Sequence, residues 1–307
     1  MLSVVVPIYK NKKSLEQLSD RLILVLNEIS VKYEIIYVND GCPSSSWEKI
    51  QELCGNHNSI IGIKFSKNFG QHSAIFAGLK QSKGEFIVVM DGDLQDLPEE
   101  ITKMYQVMLN ENCDAVIARR EVRHDSYFKI FTSKLFYFLF AYLTNTDQDS
   151  AVGNFGIYSR KIIISVLSLG DSHKYFPTMI QWVGYKKEYI NVKHGSREDK
   201  SSYSFSKLIN LAFSVLITFS DKPLRIVVRL GLCIVFLSIG IATVFLVKYL
   251  IGSVTVDGFT SLILSLWFLA GIIITILGVV GMYLGRLFEQ VKGRPIYIIE
   301  TILNSEL

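Results

Sequence analysis

The chain has 307 residues, half of them hydrophobic, and its 32 Lys and Arg against 28 Asp and Glu give a net charge of +4. Residues 230–285 contain only two charges, so the other 58 lie on 251 residues, a density of about 23 per cent that is typical of soluble domains. This division excludes an entirely soluble enzyme, a disordered chain and a transporter with many helices, and the small, dispersed positive charge gives no basic stripe for nucleic acid.

Runs of β-forming residues alternate with helical periodicity through the first 118 residues. The predicted strands are Leu2–Ile8, Tyr33–Val38, Ile60–Phe65, Glu85–Met90 and Ala115–Ala118. The predicted helices between them are Ser14–Ile29, Ser45–Leu53, Ser73–Gln81 and Glu99–Asn110. Five strands separated by helices predict a parallel α/β sheet, in which ligands bind at the carboxyl ends of the strands.

Polar residues follow three of these strands at the edge where ligands are expected. The strands end in Pro7-Ile8-Tyr9, in Asn39-Asp40-Gly41 and in Asp91-Gly92-Asp93-Leu94-Gln95-Asp96. Two carboxylates one residue apart can turn toward one cation, the Gln95 amide adds a neutral oxygen, and oxygen ligands suit Mg²⁺ or Mn²⁺. The last motif therefore predicts a divalent metal site formed by Asp91, Asp93 and Gln95, with a solvated acidic turn as the alternative.

Two later segments have the composition of helices that lie in a lipid headgroup region. Tyr127–Leu143 combines eight aromatic residues with Lys129 and Lys134, and Phe205–Phe219 is a second candidate. Ordinary core helices remain the alternative for both segments.

Two apolar runs near the end of the chain predict transmembrane helices. Leu230–Val247 has 18 uncharged residues and Gly258–Gly285 has 28, each enough to cross a bilayer core of about 30 Å. Six basic residues flank the pair outside and only Lys248 lies in the loop between, which predicts that both chain ends are cytosolic. We expect a cytosolic domain over 1–203, a juxtamembrane amphipathic helix and linker over 204–229, helices at about 230–250 and 259–284, and a cytosolic tail over 286–307.

Several motifs resemble the membrane-anchored family 2 glycosyltransferases that load sugars onto polyprenyl phosphates, such as dolichol-phosphate mannose synthase and bacterial undecaprenyl-phosphate glucosyltransferases. In chain order they are Val5 to Tyr9, Val38 to Gly41, Ser66 to Gly70, Asp91 to Asp96, Phe219-Ser220 with Pro223 to Arg225, and Tyr283 to Arg286. The resemblance runs along nearly the whole chain. It implies a GT-A, Rossmann-like sheet that is mixed but mainly parallel, with flanking helices and a C-terminal two-helix transmembrane hairpin.

The resemblance also assigns roles to individual residues of this chain. It implies that the donor is bound by Pro7, Tyr9, Asp40, Asn68, Asp91 and Arg197. It implies that the acceptor phosphate is bound by Arg120, Arg123, Lys129 and Ser133, and that the metal is held by Asp91, Asp93 and Gln95. Asp93, Asn154 and Arg120 are the expected catalytic residues.

The chain departs from the family pattern at one catalytic position. Where the family often has Gly-Asp-Phe-Arg, this chain has Gly153-Asn154-Phe155-Gly156, which lacks both the carboxylate and the guanidinium. A phosphate monoester is largely dianionic at neutral pH and attacks without a strong general base. Asn154 is therefore expected to orient the reactants rather than to remove a proton.

Together these observations predict an inverting, metal-dependent hexosyltransferase that uses Mg²⁺ or Mn²⁺. It would transfer a sugar from a nucleotide-diphosphate sugar, by resemblance a UDP-hexose, to undecaprenyl phosphate for the modification of a cell-surface polysaccharide. The expected location is the bacterial inner membrane with a cytoplasmic active site, and the resemblance implies a homotetramer. A glycosyltransferase with another acceptor and an inactive nucleotide-sugar-binding scaffold are the alternatives.

Overall fold

The computed structural model describes residues 1–43, 45–120, 152–171, 174–193, 222–251 and 258–305. These residues divide into two compact units. One unit takes the described residues up to 193 together with those from 294 onward, and the other takes those between 222 and 293. The segments predicted to contact lipid, Tyr127–Leu143 and Phe205–Phe219, lie outside the described residues.

The described strands of the first unit form one mixed sheet. They are β1 (Leu2–Ile8), β2 (Tyr33–Asn39), β3 (Ile60–Phe65), β4 (Phe86–Val89), β5 (Ala115–Arg120), β6 (Val152–Ser159), β7 (Lys187–Val192) and β8 (Ile299–Leu303). Their order across the sheet is β7-β5-β6-β4-β1-β2-β3-β8. The pairs β1/β2, β1/β4, β2/β3 and β5/β7 are parallel, whereas β3/β8, β4/β6 and β5/β6 are antiparallel. The predicted mixed sheet with flanking helices is confirmed.

Helices connect these strands and also form the second unit. The helices of the first unit are α1 (Lys12–Glu28), α2 (Ser46–Asn56), α3 (Gln71–Gln81), α4 (Glu100–Glu111), α5 (Arg160–Ser168) and α6 (Phe176–Trp182). Those of the second are α7 (Lys222–Leu250) and α8 (Phe259–Val291).

The sheet is buried on both faces because side chains alternate along each strand. Val4 and Val6 of β1 point to the core layer under α1, α2 and α4, while Val5 points to the layer under α3, α5 and α6. All three valines have no exposed surface. Burial on both faces explains why β1, β2 and β3 have nearly continuous hydrophobic sequences, and it made their positions predictable.

The C-terminal residues, expected from the sequence as a tail, contribute the edge strand β8. Ile302 pairs with Ile63 of β3, and Lys64 forms an ion pair with Glu300 across the two strands at 2.8 Å. Just before β8, the Tyr297 ring stacks on Phe65 with ring centroids 5.1 Å apart. The chain therefore leaves the first unit before the two long helices and returns to the same sheet after them.

The second unit contains the apolar segments. Among the described residues, one helical segment, Phe268–Val291, is long and apolar enough to cross a membrane, with a mean hydropathy of 2.3. Helix α7 begins at Lys222, earlier than the predicted start at about 230, and α8 continues to Val291 rather than ending at about 284. The basic residues that flank the apolar runs are themselves good helix formers, so charge marks the end of an apolar run and not the end of a helix.

Candidate active site

The carboxyl ends of β1 and β4 are in direct contact. The hydroxyl of Ser14 donates to the backbone carbonyl of Gly92 at 2.8 Å, which holds the loop after β4 against the start of α1. A Cβ atom at position 92 would lie 2.6 Å from Cδ1 of Ile8 and 3.4 Å from the carbonyl oxygen of Pro7. A side chain between the two aspartates would therefore need the tip of the Ile8 side chain to shift.

Asp40 connects the end of β2 to the loop before α3. Its carboxylate accepts hydrogen bonds from the backbone N–H groups of Phe69, at 2.7 Å, and Gly70, at 3.0 Å, while the Asn68 amide donates to the Asp40 carbonyl at 3.2 Å. Asp40 is 3% exposed, and this burial raises the pKa of its carboxyl group, although the two N–H donors oppose the shift. The described contacts of this carboxylate thus order the loop that contains Asn68.

Gly41 lies where the turn after β2 approaches the loop between β3 and α3, and there is no room for a side chain at this position. Its φ of +56° lies in the left-handed region, and an added Cβ would fall 2.1 Å from the carbonyl carbon of Lys67. The turn after β2 and the loop after β3 therefore pack backbone to backbone.

The acidic loop after β4 has a defined conformation. Asp91 accepts a hydrogen bond from the Gln71 side-chain amide at 2.6 Å, and its own N–H donates to the buried carboxylate of Asp96 at 3.0 Å. Asp93 accepts a hydrogen bond from the backbone N–H of Gln95 at 3.1 Å. Gln71 was not among the predicted site residues; the signal available was its position at the first residue of a helix that follows a parallel strand.

The oxygen atoms of this loop fit a small divalent cation. The described residues contain no cluster of three or more His, Cys, Asp or Glu side chains that could hold a metal by themselves. Mg²⁺ and Mn²⁺ do not need such a cage, because they are commonly bound through one or two carboxylates together with substrate phosphates and water. Asp91 and Asp93 supply that number of carboxylates.

Asn154 lies on β6, two residues beyond the last pair of that strand with β4. That pair joins Gly156 to Val89 in antiparallel register, so β6 continues through Asn154 in the direction in which β4 leads to the acidic loop. The Asn154 carbonyl accepts a hydrogen bond from the Tyr158 hydroxyl at 3.5 Å. Sequence reasoning did not find Tyr158, because its relation to Asn154 depends on the strand conformation.

The structure brings several predicted donor residues to one edge and leaves the acceptor residues undescribed. The Pro7 carbonyl oxygen lies 3.4 Å from the Cβ position of Gly92, the residue that follows Asp91, and the Asn68 amide bonds to Asp40. Tyr9, directly after β1, is 41% exposed. Arg120 is the last residue of β5, but its side chain lies outside the described part of the structure. The remaining predicted residues outside the described ranges are Arg123, Lys129, Ser133 and Arg197.

The comparison with protein families gives one match over much of the first unit. Residues 3–167 match the family model "Glycosyl transferase family 2". This range includes the strand ends described above, from Pro7 through the acidic loop to Asn154.

Full-length relatives are similar over nearly the whole chain. A protein described as an uncharacterized glycosyltransferase of Synechocystis sp. is 32% identical over 99% of this chain and 96% of its own length. The undecaprenyl-phosphate 4-deoxy-4-formamido-L-arabinose transferase of Proteus mirabilis is 33% identical over 99% of this chain and 94% of its own length.

A solved structure shares the fold. The crystal structure of glucosyl-3-phosphoglycerate synthase from Mycobacterium tuberculosis with Mn²⁺, UDP-glucose and phosphoglyceric acid superposes with a TM-score of 0.53 at 15% identity, covering 71% of this chain and 78% of that chain. At this low identity the similarity concerns the fold alone, and it supports the predicted GT-A-like arrangement.

Proposed function

The chain belongs to glycosyl transferase family 2, and from this premise we propose that it transfers a sugar from a nucleotide-diphosphate sugar to undecaprenyl phosphate. One observation carries the proposal: the acidic loop Asp91–Asp96 is held against the starts of α1 and α3 at the carboxyl edge of the sheet. The full-length relative from Proteus mirabilis is named for transfer to undecaprenyl phosphate, and the structural neighbour was crystallised with Mn²⁺ and UDP-glucose. We propose a UDP-hexose as the donor.

In this mechanism the chain's residues bind and orient two negatively charged substrates. Asp91 and Asp93, with Gln95, would hold Mg²⁺ or Mn²⁺, which when bound neutralises charge on the departing diphosphate. Gln71 fixes the orientation of Asp91, and the ordered loop after Asp40 presents Asn68 at the donor side.

The attacking group needs positioning more than activation. The acceptor phosphate is largely dianionic at neutral pH, so its oxygen can displace the diphosphate directly with inversion at the anomeric carbon. Arg120, Arg123, Lys129 and Ser133 are proposed to bind this phosphate, and Arg197 to bind the donor phosphates. Asn154, on β6 two residues beyond its last pair with β4, would orient the reacting groups without taking a proton.

The course of the chain supports a two-helix membrane anchor. Strand β8 pairs with β3 in the sheet that contains the acidic loop, which supports placing both ends of the segment 222–293 on one side of a membrane. Because a single crossing would separate β8 from β3, this pairing supports an even number of crossings. We propose that α7 and α8 each cross once, with the basic residues at their outer ends and the active site on the cytoplasmic side.

A transfer assay with purified protein tests the proposal. Undecaprenyl phosphate and Mn²⁺ are incubated with radiolabelled UDP-glucose, UDP-galactose, UDP-N-acetylglucosamine or UDP-N-acetylgalactosamine, and the products are extracted into organic solvent. We expect one donor to give an acceptor-dependent labelled lipid that is lost with excess chelator. Release of the nucleotide without labelled lipid would identify another acceptor, and donor binding without transfer or hydrolysis would identify a scaffold; either result overturns the proposed function.

A further inference from the structure

The tip of the Tyr158 side chain lies over the backbone of Gly156. An ideal Cβ added to Gly156 would be 2.5 Å from the Tyr158 hydroxyl oxygen and 2.7 Å from Cζ of the same ring. Both distances are too short for any side chain at position 156 unless the tyrosine moves. The two residues therefore share one volume: the ring fills the space that a side chain at position 156 would need.

From this position the Tyr158 hydroxyl reaches the Asn154 carbonyl, four residues earlier on the same strand, at 3.5 Å. Because residues two apart on a strand face the same side, positions 154, 156 and 158 form one row. Tyr158 is 2% exposed, and burial raises the pKa of its hydroxyl group, with the nearby Asp96 contributing in the same direction. The hydroxyl thus keeps its proton and acts as a hydrogen-bond donor.

The Tyr158 ring is itself fixed by the core. It packs edge-on against Phe176 of α6, with ring centroids 5.2 Å apart. The backbone N–H of Phe176 donates to Nδ1 of His72 at 3.4 Å, and His72 lies next to Gln71, whose amide bonds to Asp91. A continuous set of contacts therefore joins the first turn of α3 to both Asp91 and the Asn154 backbone.

We propose that Tyr158 is a positioning residue that holds the backbone of Asn154 in place through its hydroxyl group. Glycine is needed at position 156 because the tyrosine ring occupies the space of a side chain there. This inference rests on the proposed function. Asn154 lies two residues beyond the last β4/β6 pair, Val89 with Gly156, and within the irregular stretch of the β5/β6 pairing, between Gly156 and Val152. The hydroxyl supplies a hydrogen bond at that point.

The variant Tyr158→Phe removes the hydroxyl and keeps the ring. Tyr37→Phe is a matched control, because Tyr37 is also fully buried and its hydroxyl bonds to the Ser19 hydroxyl at 2.8 Å in the opposite core layer. Loss of this long hydrogen bond should lower kcat about twofold in Tyr158→Phe, with KM for the nucleotide sugar unchanged. Tyr37→Phe loses a shorter hydrogen bond, so it should lose at least as much stability and retain the wild-type kcat.

A double-mutant cycle tests the shared volume. Gly156→Ala should lower kcat by displacing the ring tip, and Gly156→Ala combined with Tyr158→Leu should have the kcat of Tyr158→Leu alone, because no ring tip remains to be displaced. Losses that simply multiply in the double variant would contradict the shared volume.

Hydrogen exchange measured by mass spectrometry gives a readout that does not need activity. Exchange of a peptide covering residues 152–156 should be at least about threefold faster in Tyr158→Phe than in wild type, and unchanged in Tyr37→Phe. Exchange at the wild-type rate in Tyr158→Phe overturns the positioning role, as does an equal loss of kcat in the two variants. Failure of the proposed function would give a different result, because the wild-type protein itself would then transfer no sugar. The hydrogen-exchange comparison would still decide the role of Tyr158.

Discussion

Replacing Asn304 tests whether the C-terminal strand is a structural part of the catalytic sheet. The Asn304 side-chain amide donates to the backbone carbonyls of Cys54, at 2.8 Å, and Ile60, at 2.9 Å, and so ties the end of β8 to both ends of the α2–β3 connection. Two hydrogen bonds at about 1 kcal/mol each predict a loss of about 2 kcal/mol in the free energy of unfolding for Asn304→Gly. Asn304 has a φ of +57°, so Asn304→Ala should lose about 1 kcal/mol more because alanine is strained there.

Thermal unfolding of the purified protein in detergent measures these losses. For a domain of this size about 1 kcal/mol corresponds to about 2–4 °C in Tm, so we expect decreases of about 4–8 °C for Asn304→Gly and about 6–12 °C for Asn304→Ala. Lys64→Ala serves as the control, because its partly exposed ion pair with Glu300 should contribute less than about 1 kcal/mol. Wild-type Tm values in both Asn304 variants would refute the integration of β8 into the sheet, and with it the argument for an even number of membrane crossings.

Three further predictions concern the first unit. Burial lowers the pKa of His72 to about 4, so the stability contributed by its neutral form is complete above about pH 6.5 and is lost as the pH falls to about 4. In thermal unfolding, wild type should therefore lose up to about 3 kcal/mol more over this pH window than His72→Asn. Parallel pH profiles of the two proteins would contradict this. Asp93→Asn should keep the wild-type Tm but weaken Mn²⁺-dependent binding of the UDP-sugar at least about tenfold in calorimetry, and unchanged affinity would remove Asp93 from the metal site. Gly41→Ala, whose Cβ would strike the Lys67 backbone, should lose at least about 2 kcal/mol in denaturant unfolding, whereas Gly55→Ala, with nothing within 4 Å of its Cβ, should lose none.

The parallel half of the sheet was predictable because each strand carries its own signal. β1 and β3 have the predicted bounds, since both are short, continuous runs of hydrophobic residues buried on two faces. β4 is shorter than predicted, Phe86–Val89, although the Met90 N–H still donates to the Val5 carbonyl at 3.2 Å. Local composition thus fixes where a central strand lies, with an error of one or two residues at its ends.

The antiparallel strands were not predicted, because their partners are distant in the sequence. β8 pairs with β3 more than two hundred residues earlier, and β6 was recognised only as a motif around Asn154, not as a strand between β4 and β5. Edge strands and long-range pairs need less continuous hydrophobicity than central parallel strands, so a local pattern does not reveal them.

In the candidate site, too, some features were predicted from the sequence and others were not. The sequence predicted that the strand ends with Pro7, Asp40 and Asp91 lie at the carboxyl edge of the sheet, and the structure has these parallel strands as neighbours, with β1 between β2 and β4. It did not predict that the Asp40 carboxylate bonds to backbone N–H groups of the next loop, or that Tyr158 reaches Asn154. Both contacts depend on side-chain direction, which residue spacing along the chain does not determine.

These contacts make the start of α3 the common support of the site. The N–H groups of Phe69 and Gly70, directly before the helix, bind Asp40, and Gln71, its first residue, binds Asp91. Since residues in one hydrogen-bond network do not act independently, substitutions at Asp40 and Gln71 should affect donor binding less than the sum of their separate effects.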